Sequence, residues 1–321
     1  MVFMSKRVLI PTDISEPGKA YLRSRGFEIK LGRGIDEDTL IQDLQDCDAL
    51  LARNEYITRR VIESAPNLKV IAKHGVGLDK IDLEAARDCK VWVTNGPTSN
   101  TVAVAEHTVM LILACAKRLV FFDGAVRSGN YEIRNKIKGM DLEGKTAGII
   151  GLGKIGMQVA KKCHYGFDMK VLGYDPYVKK EQAPDYVTCC DTMEEVIRGA
   201  DFVSLHLPAT ADNTGFFNKD LISLMKPSAY FINAARGSLV NEADLYDACK
   251  SGQIAGAGLD VFAAEPFDPN NPLFTLPNVT LTPHNAALTL ETTDRMGLHA
   301  AQGIDEVFSG KRPTWPVVIP E

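Results

Sequence analysis

Gly151-Leu152-Gly153-Lys154-Ile155-Gly156 is a G-x-G-x-x-G run in a telling context. The β-prone segment Thr146–Ile150 precedes it and a helical stretch from Lys154 to Cys163 follows. An acid, Asp175, stands 19 positions beyond Gly156, at the end of the next expected strand, Lys170–Tyr174. In such a unit Gly151 allows a tight turn, Gly153 lets a pyrophosphate approach the backbone, and Gly156 permits close helix–strand packing. The N–H groups of Lys154 and Ile155, with the helix dipole behind them, attract the anion. Asp175 is placed to accept from ribose hydroxyls, and its charge opposes a 2′-phosphate, so the cofactor expected is NAD rather than NADP.

Three further residues each follow an expected strand: Arg236 in Ile-Asn-Ala-Ala-Arg-Gly, Glu265 in Ala-Ala-Glu-Pro, and His284 in Thr-Pro-His. Open parallel sheets bind ligands outside the carboxyl ends of their strands, so these positions can converge. The chemistry that needs this trio is oxidation of an alcohol beside a carboxylate. A histidine takes the hydroxyl proton, a carboxylate holds the imidazolium, and an arginine grips the anion.

The elements that must position them read as two successive βα series. From residue 6 to about 95, runs at Arg7–Ile10, Phe27–Leu31, Ala49–Ala52, Lys69–Lys73 and Val91–Thr94 alternate with helical stretches. The alternation restarts near residue 145 and continues through Phe202–Leu205, Tyr230–Asn233, Gly256–Asp260 and Val279–Leu281. The fold class expected is α/β, with two doubly wound parallel-sheet domains of Rossmann or flavodoxin type and a cleft between them. An apolar stretch from about Ser99 to Val120 reads as one long core helix linking the domains, in which His107 simply packs. Glu291–Ser309 reads as a helix, and Pro313, Pro316 and Pro320 imply an extended tail.

Composition narrows the class. The 321 residues carry a formal net charge of −5, which argues against a nucleic-acid partner. No apolar run is long enough to span a membrane, and the N-terminal residues lack a signal-peptide core. Seven cysteines without a C-x-x-C pair form neither a disulfide nor a metal framework. A cytoplasmic protein with reduced thiols and no metal is expected.

Taken together, Lys-His-Gly-Val-Gly-Leu-Asp-Lys-Ile-Asp (73–82), the glycine turn (151–156), Leu-His-Leu-Pro (205–208), Ile-Asn-Ala-Ala-Arg-Gly (232–237), Gly-Leu-Asp-Val-Phe (258–262), Glu265-Pro266 and Thr-Pro-His (282–284) resemble the D-isomer-specific 2-hydroxyacid dehydrogenases, in particular their phosphoglycerate dehydrogenase-like branch. The resemblance covers nearly the whole chain. It implies that Arg236 orients the substrate, His284 is the acid–base group and Glu265 is its carboxylate partner. It further implies that Asp260 holds the nicotinamide carboxamide and that Leu207, Pro208 and Ala234 line the cofactor cleft. The backbone of Gly75, Val76 and Gly77 would bind the substrate carboxylate. A discontinuous substrate domain (1–99 and 288–321), an NAD domain (100–287) and a homodimer formed through the latter are likewise implied.

Arg53 and Lys73 end expected strands of the first domain, where the resembling branch carries basic residues. They would suit a second anionic group, making 3-phosphoglycerate a candidate substrate; otherwise they pair with acids such as Glu55 or Asp79. Asn285-Ala286-Ala287 departs from the family's usual pattern and bears on the nicotinamide pocket. The chain length leaves no room for the regulatory domain of longer relatives, so serine feedback is not expected. The competing readings are a glyoxylate/hydroxypyruvate reductase and, in another class, an NAD-sensing corepressor-like binding protein. Formate dehydrogenases of this fold resemble the family with Gln where Glu265 stands, which disfavours them.

Overall fold

Short β-branched and aliphatic runs, each followed by a helical stretch, become the strands of two sheets in the computed structural model, which describes residues 5–320. The first five strands are β1 (Arg7–Ile10), β2 (Glu28–Leu31), β3 (Ala49–Ala52), β4 (Val70–Lys73) and β5 (Trp92–Thr94). Then come β6 (Thr146–Ile150), β7 (Lys170–Tyr174), β8 (Val187–Cys189), β9 (Phe202–Leu205), β10 (Tyr230–Asn233), β11 (Gly256–Leu259) and β12 (Val279–Leu281). A last strand, β13 (Pro316–Val318), lies near the end of the chain.

The chain divides into two compact units, Met1–Asn100 with Ala287–Glu321, and Thr101–Ala286. In the first, the strand order β13-β5-β4-β3-β1-β2 contains the flavodoxin-like arrangement. Its strands pair in parallel except β13, which runs antiparallel to β5, so the proline-rich tail is a sheet edge and not merely extended. Proline suits such a position, because an edge strand can dispense with one donor. Leu9 and Leu50 enter one core, while Val8, Ile10, Ala49 and Leu51 enter another, so both faces are covered. The C-terminal helix Leu290–Phe308 returns to this unit and packs on the helix Glu16–Ser24. The two backbones come so near that a Cβ on Gly18 would meet the Gly297 carbonyl at 2.8 Å.

The second unit has the order β12-β11-β10-β9-β6-β7-β8, the Rossmann succession with one strand added. β9 and β10 are buried along their whole length, and Phe231 of β10 stacks on Phe217 at 4.4 Å. The apolar stretch expected as one helix from Ser99 to Val120 is two, Thr101–Ala116 and Leu119–Arg127. Arg118 breaks it by adopting a left-handed backbone (φ 52), which neither glycine nor proline announces in the sequence. The first piece is largely buried; the second has no buried residue.

Candidate active site

The glycine turn ends β6 where the order of the sheet reverses, between β7 and β9. Gly151 has φ +99, and a Cβ there would lie 2.6 Å from the His206 carbonyl oxygen, so only glycine fits beside the end of β9. Gly156 is as constrained, because its Cβ would come 1.9 Å from the Gly151 carbonyl oxygen. Gly153, by contrast, would point a Cβ into open space. It is the N-cap of the helix Lys154–Phe167, whose first N–H groups have no intrahelical partner. Open space over a glycine, helix-terminal amides and the positive end of a dipole together fit a pyrophosphate.

The Asp175 carboxylate is held by its own turn: Oδ2 accepts from the Leu152 amide (2.8 Å) and Oδ1 from the Tyr177 amide (2.9 Å). Each oxygen keeps a lone pair for a ribose hydroxyl. Leu152, Asp175, Pro176, Lys179 and Cys190 line a cleft of about 500 Å³ at this place. Lys180, one of the nearest cations in sequence, is paired with Asp191 at 2.6 Å. Leu207, Pro208 and Ala234 follow β9 and β10 at the same end of the sheet, none of them buried.

Arg236, Glu265 and His284 are brought together on loops after β10, β11 and β12. Asn233, the last residue of β10, shapes the first loop by accepting from the Ala235 amide (3.0 Å) and donating to the Arg236 carbonyl (2.9 Å). Arg236 itself donates from Nη1 to the Ala235 carbonyl (2.7 Å). Gly237 lets this loop touch the next, since a Cβ there would meet the Phe262 carbonyl carbon at 1.9 Å. Glu242 then holds the second loop, accepting from the Ala263 amide (2.6 Å) and the Asn271 side chain (2.8 Å).

His284 Nδ1 lies 2.6 Å from Glu265 Oε2, the bond that sets the ring orientation. Burial alone would raise the Glu265 carboxyl. The His284 hydrogen bond and charge, the Phe262 amide and the Arg236 charge reverse this and hold it below its ordinary value. With Nδ1 engaged, His284 presents Nε2 from a half-exposed ring. The arrangement can bind an anion at Arg236 and exchange a proton at His284 Nε2 beside it.

Asp260, expected to hold a carboxamide, has its oxygens engaged within the protein. It is fully buried, and they accept from Thr282 Oγ1 (2.7 Å), the Asn285 amide (3.0 Å) and the Ala286 amide (3.0 Å). Burial would raise this carboxyl, but His107, Thr282 and the Asn285 amide hold it below its ordinary value. Asn285 and Ala286 contribute main-chain donors here. His107, read as simple packing, instead places Nε2 2.9 Å from Thr282 Oγ1. Neither Glu242 nor Thr282 was singled out in the sequence, because their partners, Ala263 and Asn271 for the one and Asp260 and His107 for the other, lie distant along the chain.

In the first unit, Arg53, Lys73 and Gly75 gather after β3 and β4, beside the reversal between β1 and β3. Arg53 Nη1 donates to the Asp13 carbonyl (2.6 Å) and Lys73 Nζ to the Arg53 carbonyl. Glu55 accepts from the Arg53 amide (2.6 Å) rather than pairing with its guanidinium. Gly75 has φ +116 and opens the Gly75–Gly77 turn, with Val76 O receiving the Asn95 amide side chain (2.9 Å).

A Rossmann sheet with a phosphate-binding turn at its switch point and a histidine–carboxylate pair at its strand ends defines a dinucleotide-binding protein of the dehydrogenase type. Residues 109–286 match the family model of the D-isomer specific 2-hydroxyacid dehydrogenase, NAD binding domain, and the chain belongs to that family. It is 39% identical over 305 residues to a D-3-phosphoglycerate dehydrogenase of Archaeoglobus fulgidus, covering 95% of this chain and 58% of the relative. A glyoxylate reductase of Korarchaeum cryptofilum is 36% identical over 321 residues, covering 97% of this chain and 95% of the relative. Among solved structures, the TT0316 protein of Thermus thermophilus superimposes with a TM-score of 0.90 at 35% identity, over 97% of this chain and 100% of the other.

Proposed function

We propose that the protein transfers a hydride between NAD and a small D-2-hydroxy acid or its 2-oxo acid, with 3-phosphoglycerate as the candidate substrate. The observation that carries this is the His284 Nδ1–Glu265 Oε2 contact of 2.6 Å, with Arg236 acting on the same carboxylate. When bound, the nicotinamide supplies or accepts the hydride. Arg236 orients the substrate carboxylate, and His284 Nε2 takes the hydroxyl proton during oxidation or returns it during reduction. Glu265 holds the Nδ1 proton and stabilises the charged imidazolium. The glycine turn and Asp175 bind the dinucleotide, and the unit carrying Arg53, Lys73 and Gly75–Gly77 serves as the substrate domain.

A second reading, a glyoxylate/hydroxypyruvate reductase, is favoured by the engagement of Arg53 and Lys73 with main-chain carbonyls. NADH oxidation across phosphohydroxypyruvate, hydroxypyruvate, glyoxylate and pyruvate separates the two. Highest efficiency with the phosphorylated acid supports the first and with an uncharged side chain the second. Turnover of none, or near-normal turnover in His284→Ala, overturns both, since general acid–base help is worth about 10²–10⁴-fold.

The proposal includes a cytoplasmic homodimer. Its support is a helix, Leu119–Arg127, that exposes Leu119, Val120 and Val126, and seven free cysteines. Light scattering that gives the mass of one chain would remove the dimer from the reading.

A further inference from the structure

The turn that carries His284 has an unfavourable backbone. His284 takes φ +51, a region that residues with a Cβ occupy only where their surroundings over-determine it. Most of the restraints come from nearby residues: the His284 amide donates to the Asp260 carbonyl (2.7 Å) and the Thr282 amide to the Leu259 carbonyl (2.9 Å). The Asp260 carboxylate then draws in Thr282 Oγ1, Asn285 N and Ala286 N. One restraint arrives from far away. His107, on the helix Thr101–Ala116 and 175 residues from Thr282, sets Nε2 2.9 Å from Thr282 Oγ1 and 3.3 Å from Asp260 Oδ1.

Proton counting gives this contact a direction. Asp260 can only accept, and the single Thr282 hydroxyl proton goes to it at 2.7 Å. His107 Nε2 must therefore carry a hydrogen and donate. The ring sits on a largely apolar helix that buries Ala103, Val104, Leu111 and Ile112, where an aliphatic side chain would pack at lower desolvation cost. Among the described residues, its polar contacts are with Thr282 and Asp260.

We propose that His107 is a positioning residue for the reaction. Its Nε2–H completes the donor set of the buried Asp260–Thr282 pair, and so holds the turn in the conformation that aims the His284 ring. The inference rests on the reading of His284 as the acid–base group.

The test compares His107→Phe, which fills the space without a donor, with His107→Gln, which keeps an N–H within reach. His107→Phe is expected to lower kcat about ten- to hundred-fold, the scale of loss seen when the groups that orient a metal-ligating histidine are removed. KM for NADH should stay within about threefold, because the glycine turn is untouched. His107→Gln should recover most of kcat, and Thr282→Val should reproduce the loss by cutting the link at its middle. A kcat for His107→Phe equal to wild type, or no recovery in His107→Gln, overturns the proposal. A second readout needs no turnover: imidazole resonances of the cofactor-free protein, with His284 assigned through His284→Gln. These should move in His107→Phe and return in His107→Gln; a His284 signal indifferent to both variants also overturns it. If wild type turns over no 2-oxo acid, the functional reading fails by itself, and the resonances still decide whether His107 orients the His284 turn.

Discussion

Replacing Gly153 by alanine separates the cost of a methyl group to the fold from its cost to the cofactor. Gly153 has φ −69 and ψ −170, extended values that alanine adopts freely, and its Cβ would meet nothing within 4 Å. As an N-cap, alanine is worse than glycine by up to about 1 kcal/mol. The stiffer unfolded chain returns about 0.4–1 kcal/mol, so folding stability should change by less than about 1 kcal/mol. The open space that spares the fold is where a pyrophosphate must approach the Lys154 and Ile155 amides. A hydrogen bond to a charged group is worth about 1.5–3 kcal/mol. Losing one should therefore weaken NADH binding about ten- to hundred-fold. The assay is NADH fluorescence titration beside a thermal melt of the same samples. Gly156→Ala is the contrast, since its Cβ would lie 1.9 Å from a carbonyl oxygen and the backbone must shift, lowering the melting temperature as well. A Gly153→Ala protein that is folded and binds NADH within about threefold of wild type would refute the placement of the pyrophosphate.

Asp175 should make NADH the better cofactor, and Asp175→Asn, which removes the charge and keeps an acceptor for one of the Leu152 and Tyr177 amides, should narrow the preference over NADPH by about tenfold or more. Equal catalytic efficiencies of wild type with both cofactors would contradict this. Glu265→Gln should displace the pH profiles of kcat and kcat/KM, because the imidazolium loses a partner whose carboxyl is held below its ordinary value and stays charged above that range; two unchanged profiles would count against the pair. His74 is buried beside Arg53 and Lys73, and burial first, then those charges, push its pKa down to about 4. Between its ordinary 6.5 and 4 the unfolded chain binds a proton that the folded chain refuses. Stability of the first unit should thus fall as pH drops through that window, by up to about 1.4 kcal/mol per pH unit. Trp92 and Trp315 both belong to that unit, so urea melts followed by tryptophan fluorescence report it. An acid slope that is the same in His74→Gln would show that another group is responsible.

The two βα series, the glycine turn and the Arg236, Glu265 and His284 positions were legible in the sequence because each depends on neighbours within a few residues. Strands covered on both faces read as short continuous apolar runs, the glycine turn needs glycine where a Cβ would strike a carbonyl, and the candidate site residues fall just past strands. A local signal of the same kind is Asp36, which caps the helix Glu37–Leu44 by accepting from the Thr39 amide at 3.0 Å. What escaped depends on residues far apart in the chain. The break at Arg118 has no local breaker, since the residue adopts φ 52 without glycine or proline to announce it. The pairing of β13 with β5 joins Pro316 to Thr94, and no pattern within either segment specifies that edge. The family resemblance implies that Asp260 holds the nicotinamide carboxamide, and nothing in its motif announces its hydrogen bonds with Thr282 and the 285–286 amides or its approach to His107. Local periodicity and turn chemistry are encoded over a few residues and survive in a one-dimensional reading. The satisfaction of a buried carboxylate is settled only when distant elements pack, because each donor is chosen by proximity in space and not along the chain.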